Sequence, residues 1–236
     1  MPHTLTMEPI AYIHNDFPTK FGLPRQSGLV ETLRSTVVFT PTYREPAALR
    51  GLDGFSHVWL VWGFSQVTRQ GWSATVRPPR LGGNKRMGVF ATRSPFRPNP
   101  IGLSCVKLLS VELQTGNGPV LLVGGADLMD GTPIYDIKPY LPYADCRPDA
   151  TGGFTEARET APLEVHFAPE LLLRIPPESR DTLLAVLARD PRPAYQDDPA
   201  RIYGFTFAGK DVRFTVSQSL LTVVDVVSLP PESPIR

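Results

Sequence analysis

Two arginines sit in the stretch of this chain best suited to chemistry. Residues 88–104 read Gly-Val-Phe-Ala-Thr-Arg-Ser-Pro-Phe-Arg-Pro-Asn-Pro-Ile-Gly-Leu-Ser. Prolines at 95, 98 and 100 fix φ and remove N–H donors, so the segment reads as a stiff loop between strands that presents Arg93 and Arg97. A guanidinium offers paired donors to a carboxylate or a phosphate, and a stiff frame lowers the entropy lost on binding. A structural crossover would use the prolines in the same way, yet it would leave two arginines without an acidic neighbour in sequence. The surroundings extend the theme. From residue 54 to 111 there is no Asp or Glu, while Arg69, Arg77, Arg80, Lys85, Arg86, Arg93, Arg97 and Lys107 make +8. The remaining residues carry 16 basic and 23 acidic groups, so a formal net charge of +1 conceals a strongly one-signed segment. Such a segment suits a polyanion, RNA or a phosphate-rich ligand, and Trp59, Trp62, Trp72 and several phenylalanines supply ring faces for bases. Solvated loops that lack acids would give the same count.

Other chemistries are excluded by spacing. Gly116 and Gly118 lack the third glycine of a dinucleotide turn, since Leu121 stands there. Residues 123–127, Val-Gly-Gly-Ala-Asp, look closer to one, but Asp130-Gly131-Thr132-Pro133 follows and breaks any helix. There is no phosphate-loop lysine, nucleophile elbow or His-Glu-x-x-His pair. His57, in an apolar aromatic run, reads as a hydrogen-bonded core residue or as a catalytic one. Four scattered histidines and two distant cysteines make no metal site, and Cys105 and Cys146 read as buried thiols.

The elements that must carry these residues are short. Of 236 residues 26 are proline, which rules out long uninterrupted helices over most of the chain. No run approaches the ~20 apolar residues of a membrane span, and the first residues lack a secretory pattern, so the expectation is a soluble, cytoplasmic protein. Strand-like runs recur at 5–13, 37–39, 57–64, 87–91, 103–113, 120–128 and 134–137, with only a brief helical piece at 45–50. Many strands without intervening helices predict a mainly β fold: an antiparallel β-barrel at 1–143. A linker at 144–162 leads to a small α+β domain at 163–236. That domain is expected to hold strands at 163–167, 203–207, 212–216 and 220–229, a helix at 177–189 and a hairpin turn at 208–211.

At residues 88–99 the sequence resembles the TsaA/TrmO family of β-barrel tRNA methyltransferases that use S-adenosylmethionine. Their pattern Gly-[Ala/Val]-Phe-[Ser/Thr/Ala]-x-Arg-[Ser/Ala]-x-x-Arg-Pro-Asn is matched throughout. Similar pieces follow in order at 21–26, 54–57, 75–83, 130–140 and 190–195. The resemblance implies methylation of N6 of threonylcarbamoyladenosine, 3′-adjacent to the anticodon at position 37 of threonine tRNA. It also implies a homodimer with the cofactor near its interface. The family's cofactor contacts map onto Pro24, Arg25, Gln26, Arg93, Leu103, Asp130, Gly131, Thr132 and Pro133. They extend to Ser65 and Gln66, where family members often have His-Gln. Read from the residues alone, the 130–133 turn is equally an ordinary Asx-type turn.

Methyl transfer onto a carbamoylated nitrogen requires loss of a proton, so a general base is expected. Asp136 and Tyr135 are the sequence candidates, with an Asp136–Lys138 ion pair as the competing assignment for Asp136. Arg77, Arg80, Lys85, Arg86 and Arg97 are expected to meet RNA. Arg192 and Tyr195 are expected to do so from a C-terminal docking module that the barrel does not need for cofactor binding. A non-catalytic RNA-binding barrel and a methyltransferase acting on another acceptor are the alternative functions.

Overall fold

Alternation of inward apolar and outward polar side chains, with period two, is what closes the first half of this chain on itself. The computed structural model describes residues 5–66, 71–78, 85–156, 161–192, 196 and 198–230. Six strands form a closed barrel: β1 (Ala11–His14), β2 (Arg34–Phe39), β3 (His57–Gly63), β6 (Ile101–Glu112), β7 (Val120–Gly124) and β8 (Thr132–Pro139). Their order is β1-β2-β7-β6-β3-β8, every neighbour is antiparallel, and β8 pairs with β1 to complete the ring. The short hairpin β4 (Thr75–Val76) and β5 (Met87–Gly88) stands in the connection between β3 and β6. Residues 46–49, expected as helical, form a short 3-10 turn whose start is capped by the Glu45 side chain.

The barrel interior is filled by Ile13, Val37, Val58, Leu60, Trp62, Val106, Leu121, Val123 and Ile134. Trp62 dictates Gly102 across the β3–β6 pair, because a Cβ there would come within 2.2 Å of the indole. A bulge lies between β3 and β8, where Val61 faces Asp136 but Trp62 faces Ile134, so Tyr135 is the extra residue. Its ring lies over Gly63, where a Cβ would sit 2.7 Å from it.

The C-terminal module is a four-stranded sheet of order β10 (Tyr203–Phe207), β11 (Lys210–Ser217), β12 (Leu220–Ser228), β9 (Glu164–His166), backed by the helix α3 (Arg180–Ala188). Ala208 and Gly209, both at positive φ, make a two-residue turn, shorter than the expected 208–211 because Lys210 and Asp211 already pair in β11. The short helices α1 (Pro142–Asp145) and α2 (Pro169–Leu172) flank the connection. Barrel and module share one apolar core. Phe17 is fully buried between them, its ring 5.0 Å from Phe207 and 6.3 Å from Phe205. Thr182 Oγ1 donates to the Thr32 carbonyl at 2.8 Å, and Ser179 Oγ donates to Asp16 at 2.8 Å. No helix among the described residues is long and apolar enough to cross a membrane.

Candidate active site

Strand direction brings three connections to one mouth of the barrel: residues 15–33 after β1, 64–100 after β3 and 125–131 after β7. There the stiff loop meets the first connection. Arg93 Nη1 donates to Gln26 Oε1, Gln26 Nε2 donates to the Arg25 carbonyl, and Arg25 Nη2 donates to the Arg192 carbonyl at 3.0 Å. Pro24, half-buried, leads into this chain of contacts. Among the described residues both guanidiniums thus donate to neutral oxygens. A locus with two cations and no salt-bridged acid fits an incoming carboxylate.

Asp127 lies beside this cluster. Its Oδ1 accepts from Ser104 Oγ at 2.5 Å, and Ser104 Oγ accepts from Trp62 Nε1 at 3.0 Å, the Ser104 side lying inside the barrel wall. Burial pushes the Asp127 carboxyl above the ordinary carboxylate range, against the Ser104 hydrogen bond, the Arg93 charge and the Ser27 amide, which favour the anion. Sequence reading passed over Asp127 because it was weighed only as the end of a failed glycine turn. Its signal was an acid directly after the apolar run 120–126, facing the one hydroxyl on the inward register of β6.

The Asp130 turn is anchored next to it. Asp130 Oδ1 lies 3.1 Å from His14 Nδ1 and accepts the Asn15 N–H at 3.1 Å, while the Asp130 and Gly131 N–H groups donate to Phe17 and Ile13 carbonyls. Gly131 has φ +72, a conformation that favours glycine, and Thr132 and Pro133 start the buried end of β8. Leu103 faces outward from β6 and is 55% exposed, and Ser65 and Gln66 are exposed just past β3.

Other sequence candidates are held elsewhere. Asp136 is on the outer wall, its Oδ2 3.0 Å from Lys138 Nζ and its Oδ1 accepting the Ile137 N–H, so the competing ion pair is present. Arg97 Nη1 donates to the Thr92 carbonyl at 2.9 Å, stapling its own loop instead of facing outward for phosphate. Arg192, expected to meet RNA, has a side chain only 11% exposed and is bound by Asp190 through Nε at 2.8 Å and Nη2 at 2.9 Å. Arg77, Lys85 and Arg86 are exposed around the β4–β5 hairpin, where Arg86 Nη1 also donates to Thr75 Oγ1 at 2.9 Å. Arg80 and Tyr195 lie outside the described residues. Of the tryptophans expected to offer ring faces, Trp62 belongs to the core and Trp59 donates to Asp145, leaving Trp72 exposed. His57 is hydrogen-bonded, Nδ1 lying 2.9 Å from Ser56 Oγ, but half-buried. Cys146 is exposed and not buried, because it ends α1 on the connection to the module. No group of His, Cys, Asp and Glu able to hold a metal ion occurs among the described residues.

The tRNA-methyltransferase O N-terminal domain model matches residues 12–146, over the barrel from the second residue of β1 and its mouth, and the TrmO C-terminal domain model matches 160–229. The chain belongs to the TrmO family. A tRNA (adenine(37)-N6)-methyltransferase of Escherichia coli K12 is 42% identical over 220 residues, 90% of this chain and 93% of that protein. One from Eikenella corrodens is 49% identical over 176 residues, 74% of this chain and 98% of that one. Among solved structures, TrmO from Pseudomonas aeruginosa superposes with a TM-score of 0.78 at 35% identity, over 97% of this chain and 99% of that one.

Proposed function

We propose that this TrmO-family chain is an S-adenosylmethionine-dependent tRNA methyltransferase that methylates N6 of adenine 37, on the threonylcarbamoylated base of threonine tRNA. The observation that carries the reading is the mouth where Arg25, Gln26 and Arg93 converge beside Asp127 and the Asp130 turn. The names of the 42% and 49% identical relatives supply the reaction. A cytoplasmic location and a homodimer belong to the same reading, the dimer supported by the outward, exposed Ile101 and Leu103 of β6. So does the division into a barrel at 1–143, a linker at 144–162 and a module at 163–236.

The donor set fits the cofactor. Arg93 and Arg25 would hold a carboxylate, with Gln26 tying the Arg93 guanidinium to the Arg25 backbone. Asp130 would accept from a ribose hydroxyl or an ammonium group, and Leu103 offers apolar surface. Pro24, Ser65, Gln66, Gly131, Thr132 and Pro133 would shape the walls. When bound, the cofactor supplies an electrophilic methyl group on a sulfonium. The chain must then hold the nucleophilic nitrogen about 3–3.5 Å from that carbon and remove its proton. We assign the proton to Asp127 ahead of Asp136 and Tyr135. A carboxylate whose pKa is raised by burial is a better base, and Asp127 lies at the mouth, whereas Asp136 is already paired with Lys138 on the outer wall. Activity should therefore fall as pH drops through a value above the ordinary carboxylate range.

Nucleoside mass spectrometry of tRNA from cells lacking the protein tests the assignment. The methylated form of threonylcarbamoyladenosine should vanish and return on complementation with the wild-type chain but not with Asp127→Asn. Return with Asp127→Asn and loss with Asp136→Asn would transfer the base role to Asp136.

A further inference from the structure

Two large rings are left in water on the hairpin beside the mouth. Trp72 is 54% exposed and Phe90 73% exposed, and the two are stacked with centroids 6.3 Å apart and planes 20° from parallel. They are not loose. The Val89 N–H donates to the Ala74 carbonyl at 3.0 Å, Thr75 pairs with Gly88, and the Ser73 N–H donates to the Phe96 carbonyl at 3.1 Å. Val89, 1% exposed, pins the turn that carries Phe90. Rigid rings lose little conformational entropy when something stacks on them.

The charge around them selects the occupant. Both rings belong to the stretch from 54 to 111 that has no acid, and Arg77, Lys85 and Arg86 are exposed on the same hairpin. Arg93, three residues beyond Phe90, reaches Gln26 at the mouth. Cations beside an aromatic face, with no carboxylate in the segment, match a nucleobase followed by its phosphate. Only an unpaired base has a free face, so a paired stem would not fit. We propose that Trp72 and Phe90 form a stacking platform for an unpaired nucleotide of the substrate RNA, next to the base that reacts. The proposal rests on the tRNA methyltransferase reading and adds to it the surface that splays the loop.

The test uses the full chain with threonine tRNA and its anticodon stem–loop. Trp72→Ala and Phe90→Ala should each weaken RNA binding about fivefold to a hundredfold and raise KM, with kcat at saturation and S-adenosylhomocysteine affinity little changed. Trp72→Phe should retain most of the affinity. Tryptophan emission should be quenched by the RNA in the wild type and far less in Trp72→Phe. The slope of log affinity against log salt should stay at the wild-type value, because no phosphate contact is removed. Wild-type affinity in both alanine variants would overturn the platform. So would altered sedimentation of the free protein with RNA binding intact, which would assign the rings to contact between two copies. Failure of the wild-type chain to bind this RNA would remove the functional reading itself, and the platform with it.

Discussion

Arg93→Ala removes the guanidinium that donates to Gln26 at the mouth, without touching the barrel core. A charged hydrogen bond is worth about 1.5–3 kcal/mol, so calorimetry should show S-adenosylmethionine affinity falling more than tenfold with the fold retained. Two carboxylates should respond to pH in opposite senses. The folded Asp127 binds its proton more readily than the unfolded chain does, because of burial, so its contribution is present below the ordinary carboxylate pKa and is lost as pH rises through the raised value. Asp127→Asn should therefore gain stability relative to wild type above that range. Asp145 is held below the ordinary value, first by the Leu141 N–H at 2.8 Å and then by the Trp59 indole at 3.0 Å. Its contribution is present above the ordinary range and is lost as pH falls through the lowered value. Asp145→Asn should be less stable than wild type at neutral pH, with the difference closing in acid. Denaturation across a pH series reads both; parallel curves for the two variants would contradict the assignment.

At the scale of elements, period-two patterning made the strands visible: β10 at 203–207 matches its expected bounds, and β3, β6 and β12 fall within a residue or two of theirs at most ends. The pattern was clear because each strand has one dry face. Less legible were features set by pairing across strands. The β3–β8 bulge interrupts the alternation of β8 at Tyr135, next to Asp136. The partners of Arg97 and Arg192 are a carbonyl five residues back and a carboxylate two residues back, local contacts that composition does not reveal. Asp127 became visible as a site only once Ser104 and Trp62 were seen across the barrel interior. Two element-level substitutions follow. Gly102→Ala forces a methyl into the Trp62 ring and should cost about 1–3 kcal/mol, measured by urea denaturation, whereas Gly88→Ala, with nothing within 4 Å, should cost much less. Charge reversal at Arg77 or Arg86 should weaken RNA binding and flatten its salt dependence by about 0.7–0.9 per lost phosphate contact, leaving cofactor affinity intact.

The whole molecule works as one packed body. The connection that carries Pro24, Arg25 and Gln26 runs between barrel and module, and closing it requires Gly22 at φ +81 to lie against the Phe205 ring. Cofactor binding by a barrel freed of its module, the expectation from sequence, is therefore not what this interface favours. A chain ending at 161 would bare Phe17, worth about 1.5–3 kcal/mol of burial by itself, and would take away the Arg192 carbonyl that holds Arg25. That fragment should lose cofactor affinity even where circular dichroism shows β structure. The central claim concerns the reaction. Purified full-length chain, labelled S-adenosylmethionine and threonine tRNA with and without the threonylcarbamoyl group should be incubated and the nucleosides separated by mass. One added methyl at N6 of adenine 37, on the carbamoylated tRNA alone, and its loss in Arg93→Ala and Asp127→Asn, is the predicted result. No transfer to adenine 37 by a chain that binds both cofactor and tRNA, or transfer undiminished in those variants, would contradict it.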